Sequence, residues 1–180
     1  MKKSGILVLS VIMALVLIFS LAGCGKEKVT LSTRTVYGLK FEVPDDFGEF
    51  EPNQDGIMLA ADEDSTASIT VSDITVASGH RAGSWTQESY QEAILQGLTD
   101  IKLIEFDNNV KISYLTAVYA HFTAKNSKGA DVEVYNYLIY WPEEDGQAFY
   151  QGISFNMNKN ADTSLKDNIE VILESLSTEY

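Results

Sequence analysis

One thiol, Cys24, two imidazoles, His80 and His121, and 26 carboxylates are the groups on which this chain of 180 residues could build chemistry. His80 stands beside Arg81 in a glycine-flanked run, and His121 lies in an alternating segment. Neither has a second histidine or a glutamate at ligand spacing, so a zinc site would have to gather its ligands from afar. The Gly-x-Ser-x-Gly elbow of acyl-transfer enzymes is absent; Gly83-Ser84-Trp85 comes nearest, and Ser84 reads as a helix cap. Asn156-Met157-Asn158-Lys159-Asn160-Ala161-Asp162 alternates oxygen donors like the first half of a calcium loop. Its donors are mostly neutral amides, Ala161 stands where glycine is required, and Asp167 would replace the bidentate glutamate. It is read as a strand-to-helix turn capped by Asp162, and Asp62-Glu63-Asp64 and Glu143-Glu144-Asp145 as solvated turns with at most weak calcium affinity. Any carboxylate pair for glycoside hydrolysis would be one choice among many. No catalytic residue, metal site or cofactor is expected.

Cys24 is the exception. Lys2 and Lys3 precede an uncharged run from Ile6 to Ala22, the n-region and h-region of an export signal. The run is a little short for a membrane span of roughly 20 residues. It ends in Leu21-Ala22-Gly23-Cys24, which resembles the bacterial lipobox. The resemblance implies that the Cys24 thiol is alkylated by a diacylglycerol, that a signal peptidase cuts between Gly23 and Cys24, and that the new N-terminus gains a further acyl chain such as palmitate. At about 0.8 kcal/mol per buried methylene, two or three chains hold a protein on a bilayer stably. The expectation is a lipid-anchored protein on the extracytoplasmic face of the cell membrane: residues 1–23 a removed signal peptide, 24–33 the lipidated cysteine and tether, 34–180 one domain.

Composition narrows the partners. Without Lys2 and Lys3, 11 of the 13 basic residues remain against 26 acidic ones, a formal charge of −15. Nucleic acid and bare anionic lipid are poor partners for such a surface. With Cys24 committed to lipid, disulfides and thiolate sites are excluded.

The elements that would carry any site follow from periodicity. A first strand alternates Tyr37, Leu39, Phe41 and Val43 with Val36, Gly38, Lys40 and Glu42 and stops at Pro44, with Gly25 to Ser32 ahead of it as tether. Ile57 to Ala61 and Ala67 to Val76 form a hairpin through Asp62-Glu63-Asp64-Ser65. A helix beginning at Ser84 carries Tyr90, Ala93, Ile94, Gly97, Leu98 and Ile101 at helical spacing. Then come Leu103 to Phe106, a turn at Asp107-Asn108-Asn109, Val110 to Ala124, Asp131 to Trp141 and Ala148 to Met157 as an antiparallel meander. Thr163 to Leu176 is a helix with Leu165, Ile169, Ile172, Leu173 and Leu176 along one stripe. In the middle strands Val132, Val134, Leu138 and Tyr140 face one way and Tyr135, Tyr137, Ile139 and Trp141 the other, so both faces need cover. The predicted class is α+β, an antiparallel sheet flanked by helices on both faces, an α/β/α sandwich. Trp85, Trp141 and the tyrosines at 114, 119, 135, 137, 140 and 150 are core by spacing, and their surplus could open a groove between sheet and helix.

Two stretches add a family likeness. Tyr37-Gly38-Leu39-Lys40-Phe41-Glu42-Val43-Pro44-Asp45-Asp46-Phe47 resembles the opening strand of the PsbP-like fold family, which also holds the Ran guanine-nucleotide release factors, and Ile172-Leu173-Glu174-Ser175-Leu176 resembles its ending. The resemblance implies an antiparallel sheet between helices and a non-enzymatic role in binding partners: photosystem assembly in one branch, GTPase binding in another. Neither role transfers with the fold. The functional expectation is a membrane-anchored, non-catalytic binding or accessory module for a protein partner, envelope component or small solute. The alternative is a small cell-envelope hydrolase using carboxylates and His121.

Overall fold

Tyr37 and Gly38 both take left-handed backbone angles, φ +50° and +77°, and this two-residue reversal folds strand β1 (Leu31–Val36) onto β2 (Leu39–Pro44). Positive φ at both loop positions matches the twist of the flanking strands. Gly38 is also sterically required, since a Cβ there would lie 3.1 Å from the Trp141 ring and 3.2 Å from the Glu179 carbonyl oxygen. The expected tether therefore ends earlier than predicted: Leu31 and Ser32 already pair with Pro44 and Val43. The computed structural model describes residues 29–77, 80–95, 98–126, 128–143, 147–159, 161 and 163–179. Gly23, Cys24 and the export segment lie outside the described residues, as does Asp162.

The remaining strands are β3 (Glu51–Pro52), β4 (Met58–Ala61), β5 (Ala67–Val71), β6 (Thr75–Val76), β7 (Thr99–Ile112), β8 (Leu115–Lys125), β9 (Asp131–Tyr140), β10 (Phe149–Asn158) and β11 (Ser177–Thr178). One sheet runs β3-β4-β5-β10-β9-β8-β7, with β6 also pairing β10; a small second sheet runs β1-β2-β11. All the pairings are antiparallel. The predicted meander is thus present, and β5 joins it through β10.

Three local expectations are corrected. Helix α1 (Gln87–Ile94) starts later than predicted, because Thr86 is the better cap. The Thr86 hydroxyl accepts from the Ser89 amide at 3.1 Å, and the Ser89 hydroxyl accepts from the Thr86 amide at 3.0 Å. The helix also stops at Ile94; Ile101 sits in β7, where it packs from a strand against the cluster that holds Tyr90 and Leu95. Asp107-Asn108-Asn109 is a bulge rather than a turn. The β7–β8 register shifts between Asp107 and Val110, the Asp107 carboxylate accepts from the Asn109 amide at 2.9 Å, and the Asn108 side-chain amide donates to the Trp85 carbonyl at 2.7 Å. The reversal falls at Ser113, φ +55°, and Tyr114. Helix α2 (Ser164–Glu174) is capped by Thr163, whose hydroxyl accepts from the Leu165 amide at 3.2 Å.

Two apolar clusters form among the described residues. Leu165, Ile169 and Ile172 of α2 join Leu39, Phe41, Val43, Ile139, Ile153 and Phe155 in one. Tyr90 and Leu95, in and beside α1, join Val118, Phe122, Val134 and Leu138 in the other. Strand β9 feeds both, Tyr137 and Ile139 to the first and Val134 and Leu138 to the second. Each fully buried large apolar side chain contributes about 1.5–3 kcal/mol, which makes these clusters the main stabilising term. The two buried polar residues are bonded: Gln151 accepts from the Trp141 indole at 3.1 Å and donates to the Ser72 carbonyl at 3.0 Å, while Asn136 accepts from the Tyr90 hydroxyl and donates to the Ser154 hydroxyl. Among the described residues no helix is long and apolar enough to cross a membrane.

Candidate functional site

The alternation of β8 and β9 places Tyr119, His121, Glu133, Tyr135 and Tyr137 on the α2 side of the main sheet. His121 pairs in register with Glu105 on β7 and with Tyr135 on β9, so it lies inside the sheet. Its ring stacks on Tyr135 at 4.1 Å with 13° between planes, and its Nε2 lies 2.9 Å from Glu133 Oε1. The Tyr135 hydroxyl donates to the same oxygen at 3.0 Å. Lys166, on α2, donates to both Glu133 oxygens at 3.0 and 2.9 Å and stands 5.9 Å over the Tyr135 ring. Burial pushes the Glu133 carboxyl up, but the hydrogen bonds from Lys166, His121 and Tyr135 outweigh it and hold the group below the usual carboxylate range.

That arrangement fixes what the cluster can do. A general base needs a lone pair free for a substrate proton and a nucleophile within reach. Glu133 Oε1 already meets His121, Tyr135 and Lys166, and Oε2 meets Lys166, while among the described residues the His121 ring has no hydrogen-bonded hydroxyl. The cluster locks α2 to β9 across the sheet face.

Next to it the surface opens. Tyr119 and Tyr137 stack at 4.9 Å with 26° between planes, and together with Glu105, Asp107, Glu170, Leu173 and Glu174 they line a groove of about 490 Å³ between α2 and β7–β8. Its size is that of a small-ligand site. The Tyr119 hydroxyl donates to Glu105 at 3.4 Å; burial first, then the Glu105 charge, pushes its phenol up to about 12. Burial likewise raises Tyr137. Both phenols are neutral at physiological pH, so the groove's charge comes from its carboxylates.

The other candidate residues are occupied by structure. His80 is exposed and stacks on Trp85 at 4.6 Å. The Ser84 hydroxyl closes a 3-10 turn, donating to the Arg81 carbonyl at 2.8 Å and accepting from the Arg81 amide at 2.9 Å. Asp62 holds its hairpin by accepting from the Thr66 amide at 2.7 Å and the Ala67 amide at 3.0 Å. Glu143 pairs with Arg81 at 3.1 Å. Asn156 and Asn158 belong to β10 rather than to a loop, and among the described residues no three His, Cys, Asp or Glu side chains gather to hold a metal. Sequence reasoning missed Glu133, Lys166, Glu170 and Glu174. The last three recur every four residues along one flank of the α2 stripe, a legible signal for a polar edge beside the core.

Among the described residues, the order of strands and the two helices define an α+β domain built on an antiparallel sheet. The sequence matches no protein-family model and no curated protein. Among solved structures, the Saccharomyces cerevisiae Ran-binding protein Mog1p aligns with a TM-score of 0.54 at 14% identity, over 84% of this chain and 96% of that one. LpqN, involved in cell envelope biogenesis of Mycobacterium tuberculosis, aligns with a TM-score of 0.48 at 11% identity, over 87% and 88%. The likeness to Mog1p is one of fold.

Proposed function

We propose that the protein is an extracytoplasmic lipoprotein, held on the membrane by Cys24, whose domain is a non-catalytic binding or accessory module. The domain is an α/β/α sandwich in which α1 and α2 cover opposite faces of the main sheet. The observation that carries the binding role is the open, aromatic-floored groove beside a cluster whose one histidine and one central carboxylate are already bonded to each other. The alternative of a hydrolase built on His121 has no such support, since Glu133 already engages Lys166, His121 and Tyr135 and among the described residues no hydroxyl is hydrogen-bonded to the His121 ring. Anchoring rests on the apolar run that ends in Leu21-Ala22-Gly23-Cys24. A partner on the same membrane, or in the envelope next to it, fits a domain held by a short tether and carrying strong negative charge.

Expression in a bacterial host with lipoprotein processing, followed by mass spectrometry of the membrane fraction, tests the anchor. The mature chain should begin at acylated Cys24, and Cys24→Ser should leave the membrane fraction or keep its leader. An unmodified N-terminus at another residue would overturn the anchoring. Crosslinking in the native membrane should then capture a defined partner.

A further inference from the structure

We infer that the groove between α2 and β7–β8 is a binding site for an elongated organic cation, one whose ammonium or guanidinium groups are spaced by methylenes; this deepens the binding role proposed above and rests on it. Glu105 and Asp107 from β7 and Glu170 and Glu174 from α2 line the groove, against one cation, Lys111. The Lys111 ammonium is turned to the Thr116 hydroxyl. Among the described residues none of the four carboxylates is in an ion pair. They do not converge either, since no three acidic groups gather tightly enough for one metal ion. A compact divalent ion is therefore the wrong shape, and the complementary charge must be spread along the ligand. Between the carboxylates the lining is apolar, with Val110, Ile112 and Leu173 beside the stacked rings. Such a floor suits methylene stems, and the ring faces suit a cation.

Tyr137 points independently to an occupant. It is 8% exposed and lines the groove, yet its hydroxyl has no hydrogen-bond partner among the described residues, and it is not one of the fully enclosed orphan atoms. The ring is held in the core while the hydroxyl is the end left open to the groove, where a ligand can supply its partner. As an acceptor it would take an N–H of the cation, a role open to any neutral phenol.

A free linear polyamine and the Lys or Arg side chains of a basic protein segment share this chemistry. Calorimetric titration of the full-length chain in neutral detergent, at constant ionic strength, with spermidine, with a Lys/Arg-rich peptide and with magnesium separates them. At least one organic probe should saturate a single site, and the one that does identifies the source. Magnesium should compete only weakly. The double substitution Glu105→Gln, Glu174→Gln should weaken binding roughly tenfold, and Tyr137→Phe about fivefold. The remote pair Glu63→Gln, Asp64→Asn should leave it unchanged. Because Tyr137 is part of the core, single Glu174→Gln on the exposed side of α2 gives a result independent of folding. Failure of both organic probes to saturate, equal binding of magnesium, or equal weakening by the remote pair would overturn the assignment. A partner still captured by crosslinking after both organic probes fail would reject the groove and leave the binding role standing.

Discussion

Lys166 on α2 holds both carboxylate oxygens of Glu133 on β9, at 3.0 and 2.9 Å. Because the folded state keeps Glu133 below its ordinary value of 4.5, its bonds contribute stability above that value, and the contribution is lost as pH falls through the depressed folded value. Urea unfolding of wild type and Glu133→Gln should therefore show its largest gap near about pH 7, closing below about pH 4.5. A gap that stays constant through this range would refute the assignment. Lys166→Met should cost about 0.5–1 kcal/mol, as for a half-exposed pair.

Gly38 and Gly56 share positive φ, +77° and +75°, but only Gly38 is crowded. Gly38→Ala should destabilise by about 2–3 kcal/mol, strain plus displacement of Trp141, and Gly56→Ala by about 1 kcal/mol. Thermal unfolding of the two variants should rank them in that order.

The Tyr90 hydroxyl is the donor to the Asn136 side-chain oxygen, in a cluster where Tyr90 is 0% exposed and Asn136 7%. Removing it leaves a buried acceptor without its partner. Tyr90→Phe should cost about 1–3 kcal/mol, read as a lower denaturation midpoint with an unchanged slope.

Tyr119 should ionise late, near 12. Glu105→Gln removes a raising charge and a hydrogen bond, so the phenol should titrate earlier in an alkaline ultraviolet scan of the folded protein. A group raised in the folded state contributes stability that is present below 10.0 and lost as pH rises through the folded value. Alkaline unfolding should accordingly steepen above about pH 10 in wild type more than in Glu105→Gln.

The meander from β8 to β10 and helix α2 were legible because Val132 to Tyr140 alternates with period two and Leu165, Ile169 and Ile172 recur with helical period. Strand β1 was not, because Leu31–Val36 holds mostly polar side chains on a small sheet. Its reversal places Tyr37, a residue without turn preference, at positive φ. The Asx-rich run at Asp107 reads equally as turn or bulge until a partner strand decides. For the site, the surplus of tyrosines predicted the groove, whereas the Lys166–Glu133–His121 cluster joins residues 33 and 12 positions apart. No local pattern encodes such a meeting.

Strand β11 pairs Ser177 with Lys40 and Thr178 with Leu39, so the small sheet recruits its third strand from far downstream. During synthesis the β1–β2 hairpin waits for that strand, and for the Leu165, Ile169 and Ile172 stripe that covers it, until late in elongation. A chain arranged in this way stays open while it is being made. Topology of this order delays collapse into the finished domain.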